Sequence, residues 1–81
     1  MKPCEEMTKL RDYLNSKGIK WQDRSDDSIC RTWFYLKGMR HSVINGHGTY
    51  GGESGLLEIM ISNHEPDGCL TADKIIEVLK M

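Results

Sequence analysis

The sequence predicts an α+β fold in which two helices pack on one face of a small three- to four-stranded antiparallel sheet, in the order α-(β)-β-β-β-α. Three observations predict it. Cys4, Met7, Leu10 and Leu14 recur at three- and four-residue steps near the start of the chain. Ala72, Ile75, Ile76 and Leu79 do the same near its end, and this spacing puts side chains on one face of a helix. Between them, Ile29 to Leu36 is rich in aromatic and β-branched residues and runs straight into turn chemistry, as a hairpin strand does. Two amphipathic helices flanking a hairpin bury both stripes most simply against one sheet face.

The first helix is expected from about Pro3 to Lys17, with Pro3 at an early position and Glu5 and Glu6 complementing the helix dipole. Tyr13 lies beside its stripe. Gly18 suits the left-handed residue after the last turn, and Ile19 then contacts Leu14 in a Schellman ending. Ile19-Lys20-Trp21 begins an optional short strand, and Asp23 to Ser28 is a polar connection. The strand Ile29–Leu36 turns at Lys37-Gly38 or Gly38-Met39 and returns as Arg40 to Asn45.

Either two-residue turn gives the same parity. Cys30, Thr32, Phe34, Leu36, His41 and Val43 then form the core face. Arg31, Trp33, Tyr35, Arg40 and Ser42 form the opposite face, with Ile29 and Ile44 at its end. Leu56 to Ile61 fits either a strand or a helical turn, its shortness and Ile-Met-Ile ending favouring a strand; Asn63 to Gly68 reads as a turn, and Thr71 as the cap of a last helix reaching about Lys80, with Asp73 in its first turn.

Eighty-one residues imply a single domain, 1–81, that buries only roughly 60–65 % of the surface of its unfolded chain. The net charge of −1 hides an asymmetry. Residues 1–40 carry nine Lys/Arg and six Asp/Glu, whereas residues 41–81 carry two and six. The whole chain is not basic enough to announce a nucleic-acid partner, but its first half can build a basic face. The start of the chain has no apolar run that reads as a signal peptide. The stretch from Leu56 to Ile61 is too short, and too broken by Glu58, to span a membrane. Three widely spaced cysteines form no disulfide framework. A reduced, cytoplasmic protein with no membrane association is the expectation.

Five of the eight glycines fall between residues 46 and 55. Gly46-His47-Gly48-Thr49-Tyr50-Gly51 matches G-x-G-x-x-G, but the dinucleotide fingerprint needs a helix opening at the third glycine. Here Gly52 and Glu53 follow, and a carboxylate there repels a pyrophosphate. What survives is a bent loop whose backbone N–H groups can form an anion-binding concavity, with His47, Thr49 and Tyr50 as candidate binding residues.

Zinc sites need closely spaced ligand pairs, which Cys4, Cys30 and Cys69 do not supply. Nucleophilic catalysis needs a nucleophile beside a base. Cys69 with His47 or His64, and Ser54 with His47, can be named without further support. Neither a metal nor a cofactor is expected, and enzyme activity is not.

The sheet face carrying Arg31, Trp33, Tyr35 and Arg40 is the other candidate binding site. Large aromatics beside arginines suit either a protein interface or stacking against bases. A homodimer burying this face is the competing explanation, as is an odd register that puts the aromatics in the core.

Two resemblances accompany these residues. The order helix–three strands–helix resembles the double-stranded-RNA-binding domain. That family grips phosphates through lysines at the start of its second helix; the corresponding segment here, Thr71-Ala72-Asp73-Lys74, has one Lys and one Asp. Four other segments resemble small uncharacterised proteins of bacterial phages and conjugative elements. They are Leu10 to Leu14, Ser42 to Gly52, Gly55 to Glu58 and Leu70 to Ile76, together about half the chain. That resemblance implies an accessory or host-interaction role and no catalytic residues. The expected function is a small non-enzymatic intracellular interaction module that docks a protein partner or itself. The alternative is a nucleic-acid-binding domain using the aromatic and basic sheet face, and a small hydrolase-like site around His47 ranks third.

Overall fold

The computed structural model describes residues 4–27, 29–46, 55–61 and 67–80. Helix α1 spans Glu5–Ser16, and the strands are β1 Trp21–Asp23, β2 Ile29–Leu36, β3 Met39–Gly46, β4 Leu57–Ile61 and β5 Asp67–Leu70; helix α2 spans Ala72–Leu79. The strands form one antiparallel sheet in the order β1-β2-β3-β4-β5. The α+β class is as expected. The strand count is five instead of three or four, because Asp67–Leu70, expected to begin as a turn, pairs with β4.

Helix α1 starts at Glu5, later than the expected Pro3, which lies outside the described residues. Its C-terminus is the expected Schellman ending. Gly18 has φ 69°, its N–H donates to the Asn15 carbonyl, and the Ile19 N–H donates to the Leu14 carbonyl at 2.9 Å. A Cβ on Gly18 would meet nothing, so glycine is used there for its backbone freedom alone. Helix α2 is capped as expected, with the Thr71 hydroxyl accepting from the Lys74 N–H at 3.2 Å. A second cap comes from α1, where the Glu6 carboxylate accepts from the Ala72 N–H at 2.7 Å. The two helices thereby join end to side through a charge-assisted bond.

The β2–β3 hairpin pairs Leu36 with Met39 across Lys37-Gly38. Both turn residues have positive φ, 53° and 77°, which is the primed turn that matches strand twist. Parity follows. Cys30, Thr32, Phe34, His41 and Val43 are buried, and Leu36 is half-buried. One hydrophobic cluster joins Met7, Leu10 and Leu14 of α1, Ala72, Ile75 and Leu79 of α2, and Cys30, Phe34, Val43, Leu57 and Ile59 of the sheet. Each buried Met, Leu, Ile, Val or Phe among them contributes about 1.5–3 kcal/mol by leaving water.

Arg11 enters the interface between α1 and the β1 edge. Its Nε donates to the Thr32 hydroxyl at 2.8 Å, and that hydroxyl in turn donates to the Met7 sulfur. Its guanidinium lies 4.7 Å from the Trp21 ring centre and pairs with Asp23 at 3.3 Å. The Trp21 indole donates to the Asn15 side chain at 2.9 Å. Helix α1 is thus fixed to the first two strands by polar contacts as well as by its apolar stripe.

Between β4 and β5 the register shifts: Leu57 faces Leu70, but Ile59 faces Asp67. The extra residue on β5 is a bulge, and Cys69 takes φ 58° there. A left-handed residue is what one type of bulge requires, and a cysteine fills it without the freedom of glycine.

Candidate functional site

The face of the hairpin turned away from the core cluster holds four of the expected binding residues. Arg31, Trp33 and Tyr35 alternate with buried Cys30, Thr32 and Phe34 along β2. Across the ladder Trp33 faces Ser42, and Tyr35 faces Arg40. Gln22 of β1 faces Trp33 from the other side. The next residue, Arg24, donates its backbone N–H to the Arg31 carbonyl at 2.9 Å, so Arg24 and Arg31 stand side by side on this face.

Trp33 is flanked by two arginines, Arg24 just after β1 and Arg40 on β3. The Arg24 and Arg40 guanidiniums each lie 4.8 Å from its ring centre. Such contacts contribute about 0.5–1 kcal/mol each at an exposed site. Their larger effect is to order three long side chains in advance. The ring is half-buried as a result, while Tyr35 remains 67 % exposed. Met60 of β4, opposite Ser42, is 45 % exposed and extends the apolar surface beyond the hairpin.

Among the described residues, the outward positions of β2 and β3 carry Arg31 and Arg40, Arg24 follows β1 beside them, and Glu58 of β4 is the carboxylate that shares the row of Arg31 and Ile44. Glu58 of β4, opposite Ile44, is buried and engaged in interactions of its own.

Arg24 was not among the residues that sequence reasoning placed here. It lay in what reads as a polar connection, although its position three residues after Trp21 puts it on the face opposite that indole once β1 exists. His47, Thr49 and Tyr50, the glycine-loop candidates, lie outside the described residues, as do Ser54 and His64. Cys69 is exposed and stands on the β5 bulge. Among the described residues no three His, Cys, Asp or Glu side chains gather closely enough to hold a metal ion. Among them, too, no helix is long and apolar enough to cross a membrane.

On the core side, His41 is buried and stacks on Phe34 with ring centres 5.0 Å apart. Its Nδ1 lies 3.0 Å from the Met39 carbonyl. Burial pushes its pKa below the ordinary imidazole value, although that hydrogen bond pulls it the other way. Asp23, at the β1 edge, has its carboxyl held below the usual range by hydrogen bonds from Ser25 and by the Arg11 guanidinium.

Comparison of the chain with protein-family models, with curated proteins and with solved structures gives no match.

Proposed function

We propose that this protein is a small, non-enzymatic, intracellular interaction module that binds an acidic segment of a partner protein across the outer face of β1–β3. The observation that carries this reading is the Arg24–Trp33–Arg40 stack, set beside Arg31 and the exposed Tyr35. Tryptophan, tyrosine and arginine are the residues on which protein interfaces concentrate their binding energy. Side chains ordered before binding lose less entropy when a partner arrives. Both helices contribute to the core cluster on the other side of the sheet, and the three arginines of this face favour a carboxylate-rich partner. The resemblance of four segments to small proteins of phages and conjugative elements adds support for an accessory role.

A protein partner fits better than a nucleic acid because Trp33 already carries guanidiniums over its ring. A base that stacked there would have to displace one of them.

Selection from a displayed random-peptide library tests the reading. Enriched peptides are expected to combine Asp or Glu with apolar residues, and the Arg24→Glu/Arg40→Glu variant is expected to lose them. Enrichment of basic peptides, or none, overturns the proposal. So does tight binding of a single-stranded oligonucleotide that falls steeply with salt and is abolished by Trp33→Ala. A concentration-dependent sedimentation change lost in Trp33→Ala would assign the face to self-association instead.

A further inference from the structure

A concavity lies on the side of the sheet opposite that face, at the end of the molecule where the β2–β3 hairpin turns. It has a volume of about 190 Å³ and is lined by Leu36, Met39, His41, Ile61, Val78 and Leu79; Lys37 of the turn also borders it. We propose that this cleft is a binding site for a small ring-sized molecule, apolar in body and carrying one hydroxyl donor, for which phenol is the simplest representative.

The chemistry of His41 carries the proposal. A carbonyl oxygen can only accept, so the 3.0 Å contact with the Met39 carbonyl places the ring hydrogen on Nδ1. Burial favours the neutral ring. Nε2 is then a hydrogen-bond acceptor, and it has no hydrogen-bond partner among the described residues. Yet no buried side-chain nitrogen or oxygen among them is left without a partner. Nε2 therefore keeps some accessible surface on a residue that is only 4 % exposed, and the cleft that His41 lines is where such surface opens. The surface that Nε2 keeps lets water bond it, and a donor on a guest replaces that water's hydrogen bond.

The other walls define the body of the guest. Leu36, Ile61, Val78 and Leu79 offer hydrocarbon. The Met39 thioether adds a polarizable contact that favours an aromatic ring. The His41 imidazole is itself locked flat against Phe34, with 19° between the planes, so the acceptor is held in a fixed direction. The volume fits one ring, since an engineered apolar cavity of about 150 Å³ takes up benzene. Val78 on α2 is 38 % exposed, leaving a large apolar side chain at the cleft without full cover. This inference stands independently of the outer face, which uses the other side of the sheet.

The experiment titrates the full chain with phenol and with anisole, which has a similar body and no donor, following backbone and imidazole nitrogen resonances. Phenol is expected to produce saturable shifts centred on Met39, His41, Ile61 and Val78, with an affinity about three- to tenfold tighter than that of anisole. His41→Phe keeps a ring on Phe34 and removes the acceptor; it is expected to bring phenol down to the level of anisole. Val78→Phe, at a partly exposed position, is expected to fill the cleft and weaken both probes. N-acetyl-tyrosinamide in a third arm distinguishes a hydroxyphenyl group presented by a polypeptide from a free small molecule. Absence of saturable shifts with phenol, shifts centred elsewhere, or equal affinities for phenol and anisole in the unaltered protein overturns the proposal.

Discussion

Burial holds the His41 imidazole below its ordinary pKa, against the opposing pull of its hydrogen bond to the Met39 carbonyl. In the unfolded chain the same side chain titrates near the ordinary imidazole value of 6.5. Between the folded and unfolded values the unfolded state carries a proton that the folded state refuses, so stability rises with pH in that interval. The contribution of neutral His41 is complete above about pH 6.5 and is lost as pH falls below it. Among the described residues bordering the His41 cleft, Lys37 alone is charged. Asp23 also titrates with a lowered pKa, but its contribution is present above the ordinary carboxylate value of 3.8 and disappears only in stronger acid. Urea denaturation at pH 7.5 and pH 5.5 separates the two. The protein is expected to lose stability between these values, and His41→Phe is expected to lose less. An equal loss in both would place the pH dependence on other groups.

Among the elements, α2 shows most directly how distant parts of the chain depend on each other. It is eight residues long, too short to persist alone. Its first N–H groups are satisfied from two directions, by Thr71 locally and by Glu6 from α1. Glu6→Ala is therefore expected to cost about 1–2 kcal/mol and to speed amide exchange in α2. Glu5→Ala, exposed and one residue away, is expected to change stability by less than about 0.5 kcal/mol. The local half of this arrangement was legible in the sequence, because a threonine followed by an amphipathic run carries its own signal. The Glu6 cap was not, since only the tertiary fold brings residues 6 and 72 together. The same division runs through the sheet. β2 and β3 were readable from composition and from the even turn at Lys37-Gly38. β5 was hidden because Asp67-Gly68 is turn chemistry and its pairing depends on a bulge at Cys69 and on β4 beside it. Arg11 gave a signal that went unread. It stands four residues after Met7 and three before Leu14, in the centre of the buried stripe, where only a charge with partners can sit. Arg24 joined the outer face once β1 formed, and β1 is three residues long with little pattern to declare it.

The whole molecule is a sheet with two unlike faces, and its energetics should divide the same way. Phe34 and Tyr35 are neighbours in sequence, but alternation along β2 sends Phe34 into the core cluster and Tyr35 to the outer face. A protein of 81 residues has a total stability of roughly 4–12 kcal/mol. Phe34→Ala removes a ring from a packed interior and is expected to cost about 3–5 kcal/mol, a loss that leaves the fold marginal or unfolded at 37 °C. Ile59→Ala, on the same face of β4, is expected to cost about 2–5 kcal/mol. Tyr35→Ser and Met60→Ser, on the outer face, are each expected to stay within about 0.5 kcal/mol of the unaltered protein, with some loss of strand preference at Tyr35 included. Denaturant melts of the four variants measure the contrast. If Tyr35→Ser destabilised as much as Phe34→Ala, the outer face would be a second packed interior, covered within the chain itself. A small effect at Tyr35 and Met60 instead means that these side chains are kept for something other than folding. Loss of the selected acidic peptides in Tyr35→Ser, with stability unchanged, would then tie that face to its partner.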